Sequence, residues 1–224
     1  MNPEVQSFPD AAVGLQFEAD LFSSQGAQVG IWSAQRNGLV CPRAYVHRSG
    51  FEGARDHSEA TNWPVHLRPT GGGTVPQGPG IDNVSLAFNA PKSFTIDDTY
   101  RMLTGILKSA LDTQDAVLEA GDTPGSFCDG AWNLSFAGKK IIGTAQRWRP
   151  VRGGRPRVLA HALVLTNSTF APGANAVDAF HRNLGLGAIH TDAHTSLSAE
   201  FGYSELPADA IFRIAGATLQ EIHA

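Results

Sequence analysis

The stretch that decides the fold runs from Arg68 to Ser85 and reads RPTGGGTVPQGPGIDNVS. Three successive glycines, Gly71, Gly72 and Gly73, cost chain entropy and pack nothing, so they need a local reason. One reason is close backbone approach to a ligand, with unblocked N–H groups facing a carboxylate or phosphate. Arg68, just ahead of them, is placed to clamp an anion in a bidentate manner. By itself the triplet fits a tightly turned surface loop equally well. Two phosphate-binding motifs are excluded. No Gly-Lys-Ser/Thr follows, and Gly71, Gly73, Gly78 and Gly80 do not have the G-x-G-x-x-G spacing. On either side the pattern is strand-like. Val65-His66-Leu67-Arg68 alternates into the glycines, and Val84-Ser85-Leu86-Ala87-Phe88 alternates away from them, the sign of a half-buried strand.

Working outward, residues 13–23 and the polar residues 51–61 read as helices. Val29-Gly30-Ile31-Trp32 and Gly38-Leu39-Val40-Cys41 read as short strands. A stronger helix begins after Thr95, where Asp98 three residues on makes a capping-box pattern. Ile96, Tyr100, Leu103, Leu107, Ala110 and Leu111 then recur at helical spacing. Residues 132–143 read as a hairpin turning at Gly138, which supplies the positive φ such turns need. Residues 158–165 (VLAHALVL) form an apolar strand interrupted by His161, and helices close the chain around 175–184 and 207–221. Strands broken by helices, with a hairpin in the middle, predict an α+β fold with a mostly antiparallel sheet, organised as one domain over residues 1–224.

The net charge is −4, and no basic run reaches five residues. The densest cluster is Arg147, Arg149, Arg152, Arg155 and Arg157. This balance argues against a nucleic-acid binder. Two cysteines, Cys41 and Cys128, fit a reduced cytoplasmic protein better than a secreted disulfide scaffold. No apolar run is long enough to span a membrane, and the first thirty residues carry no cleavable leader pattern.

Residues 127–147 (FCDGAWNLSFAGKKIIGTAQR) carry the second chemical signal. Lys140 opens the second arm of the hairpin against Ile141 and Ile142, where it offers a fixed positive charge to a carboxylate, acyl or phosphate oxygen. Taken with Arg68 to Val75, Asn83-Val84-Ser85, Gly138 to Arg147 and His161, this stretch resembles the biotin/lipoate protein ligase superfamily on its lipoate/octanoate side. The resemblance covers about residues 15–200. It implies a large mixed sheet with a smaller sheet and flanking helices, in the short form without a C-terminal accessory domain. It also implies attachment of lipoate or octanoate to the target lysine of a lipoyl domain. The acceptor would be in a 2-oxoacid dehydrogenase complex or the glycine-cleavage H protein. Lys140 matches the family's catalytic lysine and would hold the acyl carbonyl and the adenylate phosphate. Arg68, Gly71, Gly72, Gly73, Thr74, Val75, Gln77 and Asn83 would line one wall of the ligand site. Asn133, Gly143, Thr144, Ala145 and His161 would line the other.

The resemblance admits two chemistries. A ligase activates lipoate with ATP and Mg²⁺, in short forms with an accessory subunit. This is the first expectation, although Asn133 stands where aspartate often helps hold magnesium. A transferase takes the acyl group from an acyl carrier protein through a cysteine. Cys128, twelve residues before Lys140, would be that nucleophile, with Lys140 lowering its pKa. A small inert cysteine is the alternative there, and Cys41 reads as inert. His161 reads as a hydrogen-bonded structural histidine more readily than a base. Gln77 stands where many relatives carry histidine. His190 and His194 have metal-pair spacing without a third ligand, so no structural metal is expected. A non-catalytic lipoate-binding module and a biotin ligase complete the alternatives.

Overall fold

The computed structural model describes residues 4–111, 113 and 116–222. Two sheets and six α-helices organise these residues. Strands β1 (Gln6–Phe8), β2 (Gln28–Ala34), β6 (Ile81–Asn89), β7 (Glu119–Ala120), β8 (Leu134–Phe136), β9 (Lys139–Arg149) and β10 (Arg157–Leu165) form the large sheet, in the order β1-β2-β6-β10-β9-β8-β7. All its pairings are antiparallel except β1 with β2. A small sheet orders β4 (Val65–Arg68), β3 (Gly38–Pro42) and β5 (Val75–Gln77), with β3–β4 parallel and β3–β5 antiparallel. The two strands read on either side of residues 35–37 therefore belong to different sheets.

The helices are α1 (Ala11–Ser23), α2 (Phe51–Ala60), α3 (Ile96–Ala110), α4 (Ala171–Asn183), α5 (Leu197–Phe201) and α6 (Ala208–Glu221). The capping box at the start of α3 is present. The Thr95 hydroxyl accepts from Asp98 N, and the Asp98 carboxylate accepts from Thr95 N. The apolar stripe of α3 buries Leu103, Ile106 and Leu107 against one face of the large sheet, beside Ile211, Ala215 and Leu219 of α6. Truncating a residue such as Leu107 to alanine should cost about 2–5 kcal/mol.

The period-2 pattern of β6 has a different cause from the one expected. Val84, Leu86 and Phe88 enter the core beneath α3 and α6. Asn83 and Ser85 alternate with them and are buried as well, at 4% and 0% exposure. Alternation on β6 thus separates an apolar core from a polar pocket wall, not core from solvent. Helix α1 and the small sheet roof that second face. Close packing of α1 needs Gly30, since a Cβ there would lie 2.6 Å from Leu21 and 2.7 Å from Phe17.

The central hairpin joins β8 to β9 through Ala137 (φ 49°) and Gly138 (φ 74°). Both turn residues are left-handed, as a tight two-residue hairpin turn of type I′ requires. The turn fixes the phase of β9, so Lys139 is exposed and Lys140 is fully buried. Among the described residues, no helix is long and apolar enough to cross a membrane.

Candidate active site

Cys128 is the centre about which the predicted residues gather. It lies in the loop that enters the hairpin and adopts φ 49°, a left-handed conformation unusual for a residue with a side chain. Gly73 N donates to its Sγ at 3.1 Å, and Arg68 Nη2 lies 3.7 Å from the same sulfur. The triple glycine makes this contact possible. A Cβ on Gly72 (φ 96°) would lie 2.7 Å from Sγ, and one on Gly73 would lie 3.2 Å from Cys128 Cα. The close approach that Gly72 and Gly73 serve is to Cys128, while Gly71 and Gly72 also line a pocket beside it. Only Gly71 has open space where its Cβ would be.

Arg68 lines the first of the two pockets described below and also braces the loop. It is 4% exposed, and its guanidinium donates to the carbonyls of Val40, Gly71 and Gly73. Those bonds brace the glycine loop and hold a charge beside the thiol; they leave no open fork for an anion.

Lys140 lies beneath the Cys128 loop. Its Nζ donates to Phe127 O at 2.5 Å and Cys128 O at 2.8 Å, and sits 5.1 Å from the centre of the Phe127 ring. Gly143 leaves room for it, since a Cβ there would lie 3.2 Å from Nζ. Two of the three ammonium donors thus hold the lysine to the backbone of the Cys128 loop. Burial pushes Lys140 down to about 8, against the opposing pull of Cys128 and Asp129. Burial also pushes the Cys128 thiol up. The charges of Lys140 and Arg68 and the Gly73 N–H outweigh that, so its pKa falls below the ordinary thiol value.

Asn133 joins this loop to β9. Its Nδ2 donates to Cys128 O at 3.0 Å and its Oδ1 accepts from Thr144 N at 3.0 Å. As a neutral amide with one Oδ1 lone pair already taken by Thr144 N, Asn133 is a weaker magnesium ligand than an aspartate. Among the described residues, no group of three His, Cys, Asp or Glu side chains is arranged to hold a metal.

Two pockets meet at Cys128. The first lies between the large sheet, α1 and the small sheet. Val75, Gln77, Asn83, Gly143, Thr144, Ala145 and His161 line it, with Leu15, Val40, Phe127 and Leu163 as apolar walls. Gln77 and Asn83 bond to each other through both amide ends, at 2.8 and 2.9 Å. The second pocket opens on the other side of Cys128, between Gly71, Gly72, Asn133 and Thr144 and the stacked Tyr100–Trp132 pair. Thr74 is fully buried and lines neither pocket.

Two supporting residues escaped the sequence reading. Glu18 of α1 is buried in the first pocket, where its Oε1 receives Trp32 Nε1 at 3.1 Å, Ser85 Oγ at 2.8 Å and His161 Nδ1 at 3.1 Å. The sequence marks His194 only by its metal-pair spacing from His190. Its Nε2 accepts Phe127 N at 3.0 Å, and its ring stacks on Phe127 at 4.2 Å. That bond fixes the remaining proton on Nδ1, which faces His190 O at 3.0 Å. Burial and the Lys140 charge push His194 down to about 4, so it is neutral near pH 7. Cys41, by contrast, is fully buried in β3, and burial pushes its thiol up to about 11.

Residues 49–209 match the model of the lipoyl protein ligase A/B catalytic domain. The chain belongs to this family. Among curated relatives, an uncharacterised protein of Cupriavidus necator is 39% identical over 160 residues, 65% of this chain and 63% of that protein. The octanoyl-[GcvH]:protein N-octanoyltransferase of Kyrpidia tusciae is 32% identical over 165 residues, 71% of this chain and 57% of that enzyme. The match thus spans less than two thirds of either relative's length. The fold recurs in a crystal structure of lipoate-protein ligase A bound with ATP, at TM-score 0.71 and 15% identity, covering 96% of this chain and 84% of that one. It recurs also in the putative lipoate protein ligase Ta0514 of T. acidophilum with bound lipoic acid, at TM-score 0.72 and 16% identity, covering 98% and 86%.

Proposed function

We propose that this chain is a cysteine-dependent acyl transferase that moves an octanoyl or lipoyl group onto the target lysine of a lipoyl domain. The observation that carries this reading is the setting of Cys128. Its thiol has a Gly73 N–H and the Arg68 guanidinium on it, has Lys140 beneath its loop, and lies where two pockets meet. The curated relatives named octanoyltransferases support the same choice. The ligase reading loses ground because Asn133 is a neutral amide bonded at both ends, a poorer magnesium ligand than an aspartate.

In the first step the Cys128 thiolate attacks the acyl carbonyl of the donor. The bond to the donor's heteroatom breaks, that atom takes a proton, and the acyl group stays on Sγ as a thioester. In the second, the neutral ε-amine of the acceptor lysine attacks the thioester. The C–S bond breaks, the amide forms, and the thiolate returns as the amine loses its proton. Arg68 and Gly73 N–H favour the thiolate at both ends of the cycle. Lys140, Asn133 and His194 hold the loop that presents it. The acyl chain occupies the first pocket, against the apolar side chains of Leu15, Val40, Phe127 and Leu163. The donor is an acylated carrier, either an acyl carrier protein or an octanoylated H protein. The acceptor is an H protein or the lipoyl domain of a 2-oxoacid dehydrogenase complex. A reducing compartment such as the cytoplasm keeps Cys128 a thiol.

The test supplies octanoyl carrier in one reaction and free lipoate with ATP and Mg²⁺ in another, each with an apo lipoyl domain. Modification in the first alone, lost on Cys128→Ser, is expected. Modification in the second alone, insensitive to Cys128→Ser, would overturn the transferase reading in favour of a ligase.

A further inference from the structure

The arginine cluster that ends β9 plays no part in the chemistry above, yet it lines a separate groove. Arg147 and Arg149 point to one face of the strand, about 7 Å apart along it. Both guanidiniums rest on the ring of Phe22 from α1, at 5.1 and 4.7 Å from its centre. That stacking holds the charges in place at low entropic cost. Arg43, just after β3, lines the same groove from the small sheet. All three arginines are exposed. Among the described residues none of them has a carboxylate within ion-pair distance. In a chain of net charge −4 this is a local excess of positive charge left open.

A second observation points to an occupant. Thr70, only 3% exposed, lines the groove with a buried Oγ1 that has no hydrogen-bond partner. The one carboxylate in the lining, Glu18, has its Oε1 turned to Trp32, Ser85 and His161. Leu15 and Glu18 line both this groove and the acyl pocket, so whatever binds here stands beside the acyl chain.

We propose that this groove docks an acidic face of the lipoyl domain that accepts the acyl group. The inference rests on the acyl-transfer reading of the Cys128 site. A small anion is best gripped by convergent buried donors. Three exposed guanidiniums spread over two walls suit several carboxylates on a folded surface, where they steer encounter and fix orientation.

The test compares wild type with Arg43→Gln/Arg149→Gln, and with the charge reversal Arg149→Glu. The double variant should raise KM for an apo lipoyl domain about tenfold, with kcat within about twofold, and should flatten the rise of KM with salt. Acylation of Cys128 by a small uncharged octanoyl thioester should not change. Arg149→Glu should be partly rescued by a lipoyl domain with acidic residues changed to lysine. Calorimetry on the Cys128→Ser background reads docking without transfer, so failure of the transfer reading and failure of the docking give different results. Unchanged KM and salt dependence would overturn the proposal. So would an equal loss with the small thioester, or competition by inorganic phosphate with lipoyl-domain affinity indifferent to Arg149→Glu.

Discussion

Cys41 and Cys128 share a chemical group and a neighbour, yet the protein makes them opposites. Arg68 touches both surroundings, donating to Val40 O beside Cys41 and approaching Cys128 Sγ. Cys41 sits in the middle of the small sheet, fully buried among apolar side chains, and burial pushes it up to about 11. Cys128 also pays for burial, but Lys140, Arg68 and the Gly73 N–H reverse the result. A charge nearby is therefore not enough. A nucleophile needs donors on the sulfur, a cation under its loop, and open space beside it.

The largest effect should come from removing one thiol and then the other. Cys128→Ser should lower transfer by at least about a thousandfold, while Cys41→Ser should change it by about twofold or less. Equal losses, measured as octanoylation of a lipoyl domain, would break the contrast.

Lys140→Ala comes next. It leaves the carbonyls of Phe127 and Cys128 without their donor, which should cost about 1–3 kcal/mol of stability. It should also lower transfer about a hundredfold and raise the midpoint of Cys128 alkylation with iodoacetamide. An unmoved midpoint would remove Lys140 from the account of the thiolate.

Gly72→Ala should act through the same thiol. The new Cβ would lie 2.7 Å from Sγ on a backbone at φ 96°, so the loop must shift. Transfer should fall about tenfold or more, since displacing a reacting group by an ångström can cost as much. Gly71→Ala, with open space at its Cβ, should be far milder, and the ratio of the two rates checks the assignment.

How much of this was legible differs between the parts. The α3 capping box, the hairpin turn and the glycine triplet are local patterns, so they can be read from neighbouring residues. Lys140 could be singled out because its motif is contiguous. The contact of the glycines with Cys128 was not legible, because that cysteine lies 55 residues beyond Gly73. Glu18 was invisible for the same reason. It reads as one polar position on a short helix, and its partners come from β2, β6 and β10, up to 143 residues away. The burial of both faces of β6 was missed because a polar pocket wall and a solvent face leave the same alternation in sequence.

The smallest effect should be the pH response of His194. Its folded value of about 4 lies below the ordinary 6.5, so the unfolded chain binds the proton more readily between them. This contribution is fully present above about pH 6.5 and is lost as pH falls towards 4, by up to about 3 kcal/mol. His194→Gln can still accept from Phe127 N and should flatten that part of the acid limb. Denaturant midpoints of the two proteins at pH 7 and pH 5 provide the check, and parallel shifts would count against it.

The most direct test of Cys128 as nucleophile is to trap the intermediate. Wild-type protein is mixed with octanoyl carrier, without acceptor, and the intact mass and digested peptides are measured. The expected result is one octanoyl group on Cys128, removed by hydroxylamine, passed to a lipoyl domain on its addition, and never found on Cys41. Transfer to the lipoyl domain at full rate with no acyl-Cys128 detectable, or with Cys128→Ser still active, would contradict it.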